Sequence, residues 1–169
     1  MKFAKIVVAF FALAGTFLLP ACNYSLGSRG ELDFSTIVVE PIKNSADIPQ
    51  AQATLARTIA DSLNTEPGLK TVTNNGQARL FVEISNYKRS VATTGRKDSR
   101  VATTVTLTLT LKCSLLDTRT GKYYFRDRTV SAKTESYPSA ASGLAETQAF
   151  PVLARTAARR VKDTIVSVW

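Results

Sequence analysis

Residues 101 to 116, "VATTVTLTLTLKCSLL", constrain this chain more than any other stretch. Val101, Val105, Leu107, Leu109, Leu111, Cys113 and Leu115 share one parity, while Thr104, Thr106, Thr108, Thr110, Lys112 and Ser114 share the other. Side chains alternate sides along a strand, so this segment has one face in a core and the other in water. A helix would scatter the same residues around its circumference. The chain must therefore build a sheet with one apolar side, and that side needs a cover.

Neighbouring segments extend the sheet. In "ARLFVEISNYK", Leu80, Val82 and Ile84 share a face against Phe81, Glu83 and Ser85. "FSTIVVEPI" (34–42) is a β-branched run closed by Pro41, which has no N–H for a ladder. "DTRTG" (117–121) reads as a turn with Gly121 placed for positive φ, and "KYYFRDRTVSAKTESY" returns as an antiparallel strand. Its inward face is left open by alternation alone, because Tyr123, Tyr124 and Phe125 are consecutive. Leu69 to Val72 is a short edge-strand candidate, followed by the turn "TNNGQ".

Two segments carry the helical period instead. From Asp47 to Leu63, Ile48, Leu55, Ile59 and Leu63 fall on one stripe with Ala51, Ala56 and Ala60 alongside. Asp47 is the expected N-cap, Pro49 lies in the first turn, and "EPG" at 66–68 stops the helix. At the C-terminus, Phe150, Leu153, Ala157, Val161, Ile165 and Val168 form a second stripe, with Arg155, Arg159 and Lys162 on another side. Proline inside a helix removes a hydrogen bond, so this helix is expected to start near Pro151 with a looser turn upstream from Leu144. Two amphipathic helices and a one-faced sheet have one economical arrangement. The expectation is an α+β two-layer sandwich, with both helices packed on one face of a mostly antiparallel sheet of about four strands.

The N-terminus reads as an export signal. Lys2 and Lys5 precede an apolar run from Ile6 to Leu19, broken only by Gly15 and Thr16, and Ala21 is the small residue at its end. A bilayer span needs about 20 apolar residues, which this run lacks. "LPAC", Leu19 to Cys22, resembles the bacterial lipobox, in which the cysteine thiol receives a diacylglycerol and the chain is cut before it. An ordinary signal beside a chance cysteine would leave the position of Cys22 unexplained. Each buried CH₂ contributes about 0.8 kcal/mol, so two or three acyl chains hold a protein on a membrane almost permanently. Asn23 is not the aspartate that keeps such lipoproteins in the inner membrane of enterobacteria, which favours the outer membrane. Residues 1–21 are thus read as signal, 22–33 as a glycine-containing tether, and 34–169 as one domain.

Charge and composition then narrow the function. The signal holds two of the 22 basic residues and none of the 13 acidic ones, leaving +7 (20 − 13). Export makes nucleic acid the wrong partner for that charge, so phosphorylated lipid, an anionic polysaccharide or an acidic protein is implied. The chain has no histidine, and Cys113 is the one thiol besides Cys22. Zinc sites and serine or cysteine triads lose their usual residues. Cys113 stands among leucines and reads as an inert core thiol. No cofactor, metal or enzymatic activity is expected.

The ordered set carries a specific likeness. Cys22 followed by "NYSLG", then "STIVVEPIKNSAD", "LARTIADSLNTEPGLKTV", "ARLFVEISNY" and "VTLTLTLKCSLLDTRTGKYYF" resembles the LPS-assembly lipoprotein family (LptE) across nearly the whole chain after the signal. The resemblance implies an outer-membrane lipoprotein on the periplasmic side. It would sit as a plug in a large LptD-like β-barrel, support folding of that barrel and assist delivery of lipopolysaccharide to the cell surface. A barrel lumen is polar and hydrated, which a threonine-rich sheet face suits.

Lipopolysaccharide carries phosphates, which Arg and Lys bind through charge-assisted hydrogen bonds. The binding candidates are Lys88, Arg89, Arg96, Lys97 and Arg100 around "SVATTGRKDSR", with Arg119 and Lys122 as a smaller cluster at the next turn. They are chosen on charge alone, against the plainer view of a solvated hairpin tip. A pilotin-like or other secretion-system accessory lipoprotein would share the anchor, the helices and the sheet.

Overall fold

A computed structural model of the chain describes residues 32–48, 51–94, 102–136 and 142–167. The elements run β1 (Thr36–Val39), β2 (Lys43–Asn44), α1 (Ala51–Asn64), β3 (Lys70–Thr71), β4 (Ala78–Thr94), β5 (Ala102–Asp117), β6 (Tyr123–Ser136) and α2 (Ser142–Val166). The fold is α+β, and both helices bury against the same side of the sheet. Leu55, Ile59 and Leu63 of α1 and Leu153, Ala157, Val161 and Ile165 of α2 share one hydrophobic cluster with Leu80, Val82, Ile84, Leu107, Leu109, Leu111, Cys113 and Leu115. Burying each such aliphatic side chain contributes about 1.5–3 kcal/mol, which is what closes the two layers.

The sheet differs from the expected antiparallel one of about four strands: it has six strands in mixed directions. β4, β5 and β6 are antiparallel, but β1 runs parallel to both β3 and β4, and β2 runs parallel to β4. The cause is the strand–helix–strand connection, because a crossover through α1 returns the chain in its original direction. Pro41 separates β1 from β2; β1 pairs with Ala78 to Leu80 and β2 with Glu83 and Ile84. The short piece near Leu69 to Val72 is an edge strand, with Lys70 beside Thr36.

The helix starts differ from a simple reading of the sequence. Asp47 lies at φ 52, in the left-handed region that Asp tolerates, and α1 is described from Ala51. Asn44 braces the approach to α1, its Nδ2 donating to Ile48 O at 2.8 Å. Pro49 and Val168 lie outside the described residues. α2 starts at Ser142, nine residues before Pro151, which sits inside the helix. The face beyond Pro151 is buried at Leu153, Ala154, Ala157 and Ala158, and this tertiary burial outweighs the missing hydrogen bond.

The three consecutive aromatics are resolved by irregular pairing. Leu116 lies opposite Tyr123 and Leu115 opposite Phe125, so Tyr124 is an extra residue; Cys113 then pairs with Arg128, leaving Arg126 and Asp127 opposite Ser114. Asp127 takes φ 48 and its amide donates to Ser114 Oγ at 2.9 Å. These bulges turn Phe125, Val130 and Ala132 inward although their spacing does not alternate. Tyr124 stacks obliquely on Phe34, with ring centroids 5.5 Å apart, so the segment entering β1 passes the start of β6.

Candidate functional site

β4 and β5 form one long hairpin, paired from Ala78 with Asp117 to Thr94 with Ala102. Lys88 faces Thr108 on the outer, hydroxyl-rich side of the sheet. Arg89 faces Leu107 and therefore lies on the helix-bearing side. A bulge decides which of the two faces outward: Ile84 pairs with Leu111 but Asn86 with Thr110, so the inward parity shifts by one residue at Ser85. Both cations are exposed. Arg96, Lys97 and Arg100 fall in the segment between the two strands and, like Cys22, lie outside the described residues.

Arg119 and Lys122 are not part of that cluster. At about 3.4 Å per residue, the step from Thr108 to Asp117 is roughly 30 Å, and it leads away from the hairpin tip. Arg119 is also engaged: its Nε lies 3.3 Å from Asp117 Oδ1, and its amide donates to the same oxygen at 2.8 Å. Thr120 Oγ1 donates to Asp117 Oδ2 at 3.0 Å, and Gly121 takes φ 68 to close the turn. Burial works against ionisation of Asp117, but these donors and the Arg119 charge outweigh it and hold the carboxyl at about 2. Thr118 ties the turn to the chain before β4: its amide donates to Gln77 O at 2.9 Å, and its single hydroxyl proton is shared between Gly76 O and Gln77 O, each 2.8 Å from Oγ1. Lys122 is exposed.

Cys113 is fully buried, and burial pushes its thiol up to about 12. It stays a neutral core side chain with no nucleophilic character at ordinary pH.

A further basic surface emerges only from packing. An open groove of about 610 Å³ runs between α1 and α2, with Arg57 on one wall and Arg155, Arg159 and Lys162 on the other. Arg57 is spanned by Asp61 at 4.0 Å, and Lys162 by Glu66 at 3.5 Å. The helical spacing placed the three α2 cations together, but no sequence signal sets Arg57 beside them, because that depends on how the helices meet.

Residues 34–167 match the family model LptE, described as lipopolysaccharide-assembly. No curated protein matches. Among solved structures, a hypothetical protein from Chlamydia trachomatis is similar at TM-score 0.56 and 9% identity, covering 80% of this chain and 97% of that one. A minor lipoprotein from Acinetobacter baumannii gives 0.50 and 14%, covering 79% and 94%. A Xanthomonas campestris protein gives 0.50 and 12%, covering 80% and 85%. These likenesses concern the fold. The family match spans most of the 169-residue chain, and by it this chain belongs to the LptE lipopolysaccharide-assembly family.

Proposed function

We propose that the chain is a non-enzymatic outer-membrane lipoprotein, anchored on the periplasmic side by acyl chains on Cys22. It plugs and supports a large LptD-like β-barrel and assists lipopolysaccharide assembly at the cell surface. The observation that carries this reading is the family match over residues 34–167. The physical features agree with it. A sheet whose outer face bears Thr106, Thr108 and Thr110 is compatible with a hydrated lumen, and the basic residues of the sequence between β4 and β5 suit an anionic ligand. Phosphate groups of lipopolysaccharide would be bound by Lys88, Arg89, Arg96, Lys97 and Arg100, with Arg119 and Lys122 as a separate site at the other end of the sheet.

Purification of the full chain from detergent extracts tests the partner: a roughly stoichiometric large barrel is expected, and recovery of a secretin ring instead would identify a pilotin-like accessory protein. Mass spectrometry of the mature terminus tests the anchor; an unmodified Cys22 overturns it. Changing Arg96, Lys97 and Arg100 together to serine should weaken lipopolysaccharide binding at low salt, and unchanged affinity removes that site.

A further inference from the structure

The groove between α1 and α2 gathers four cations, and two of them have no carboxylate partner among the described residues. Lys162 sits at Thr65 and Glu66, by the C-terminal end of α1, while Thr54 and Pro151 line the other end of the same groove. The two helices therefore run in the same direction, and at a common rise per residue Arg155 stands level with Thr58 and Arg159 with Ser62. Arg57 and Lys162 are each balanced, by Asp61 and Glu66. Arg155 and Arg159 are exposed and make no ion pair with a described residue.

Carboxylates are nevertheless close at hand. Asp61 and Asp163 also line the groove, and Asp163 follows Arg159 by one helical turn, yet neither comes within ion-pair distance of Arg155 or Arg159. Arg160, next in the chain, is turned to the sheet and donates to Ser131 O. Like charges four residues apart on a helix repel, their Cβ atoms being about 5–6 Å apart. Arg155 and Arg159 thus weaken α2 unless an anion sits between them.

The surroundings suit such an anion. Small side chains lie between the basic walls: Ala158 is buried, and Thr58 and Ser62 are half-buried. The Thr58 hydroxyl is committed to Thr54 O at 2.6 Å, whereas the Ser62 hydroxyl bonds to no other described residue. A carboxylate has two coplanar oxygens and fills one guanidinium fork. A terminal phosphate spreads three oxygens over a tetrahedron and can meet two forks and a hydroxyl at once. The groove of about 610 Å³ lies within the range of about 300–1,000 Å³ usual for ligand sites, which leaves room for the group that carries the phosphate. It lies in the helix layer, on the other side of the sheet from Lys88.

We propose that Arg155 and Arg159, with the Ser62 hydroxyl, bind the terminal phosphate of a phosphomonoester or diphosphate in the groove between α1 and α2. This site is separate from the basic residues between β4 and β5. The full chain in neutral detergent is titrated calorimetrically at low salt with sodium pyrophosphate and, separately, with phosphatidic acid added to the micelles. Arg155→Gln with Arg159→Gln should weaken binding of at least one probe about ten-fold. Lys112→Gln with Lys133→Gln removes the same charge from exposed positions on the outer sheet face and should leave both affinities unchanged. A loss for pyrophosphate alone identifies a soluble phosphate as the ligand; a loss that includes phosphatidic acid identifies a lipid headgroup. Both arginines are exposed, and relief of their repulsion should keep or raise the thermal midpoint, so weakened binding is not lost folding. Equal weakening by the two glutamine pairs, no weakening by the arginine pair, or no binding of either probe to the wild-type chain overturns the site. None of these outcomes bears on the plug reading, which is tested by recovery of the barrel.

Discussion

Lys162 of α2 reaches Glu66, just beyond the end of α1, with Nζ 3.5 Å from Oε2 and the Glu66 side chain only 7% exposed. The same ammonium lies 3.5 Å from Thr65 Oγ1. One lysine therefore braces the turn after α1 from the facing helix. Lys162→Met keeps the length of the side chain but withdraws the charge from a buried carboxylate. A buried group that loses a partner costs about 1–3 kcal/mol, and urea unfolding should show a loss of that size.

The turn after β5 gives a pH dependence with a defined sign. Asp117 is held at about 2, below its ordinary 3.8, so its contribution is complete above the unfolded value and drains as pH falls toward about 2. Asp117→Asn should be less stable than wild type at neutral pH. Denaturant midpoints measured on acidification should converge for the two proteins, and a gap that persists unchanged through this range would mean the turn gains nothing from the charge.

Gly76 sits where no side chain fits. A Cβ there would lie 2.8 Å from Val38 Cγ2 and 3.1 Å from Ala78 O, inside van der Waals contact. Gly76→Ala must push β1 away from the start of β4, and overpacking of this kind costs about 1–3 kcal/mol. Thermal unfolding reads the loss, and hydrogen exchange should rise at the amides of Glu40 and Val72, which bond across β1 and its neighbours.

Cys113 supplies a chemical probe of the core. Its thiol is fully buried and raised to about 12, so iodoacetamide at mildly alkaline pH should leave the native protein unlabelled at this position. Labelling should become complete in denaturant and follow the unfolding curve. Appreciable native labelling would show that β5 opens locally.

Much of this architecture was legible in the amino-acid order, because strand and helix periods are local steric properties. The parity of Val105 to Leu115 fixes which side of β5 is buried, whatever packs on it, and the leucines of that face are indeed inaccessible. The stripe of Leu55, Ile59 and Leu63 likewise names the buried side of α1. The end of the "DTRTG" turn and the inert character of Cys113 follow from residue type and immediate neighbours. Of the binding candidates, charge alone could nominate Lys88, Arg89, Arg119 and Lys122.

Tertiary structure decided what depends on a partner segment. Lys88 rather than Arg89 takes the outer face because a bulge at Ser85 shifts the pairing with β5, and bulges appear in no single strand's alternation. β1 runs parallel to β4 because α1 carries the chain back over the sheet, a direction that strand composition does not encode. α2 continues through Pro151 because the core rewards its buried face more than the lost hydrogen bond costs. The meeting of Arg57 and Ser62 with Arg155 and Arg159 is of the same kind. Each lies on a helix foreseen from sequence, but the groove they share is set by how α1 and α2 pack, and packing is fixed only when one helix is laid against another.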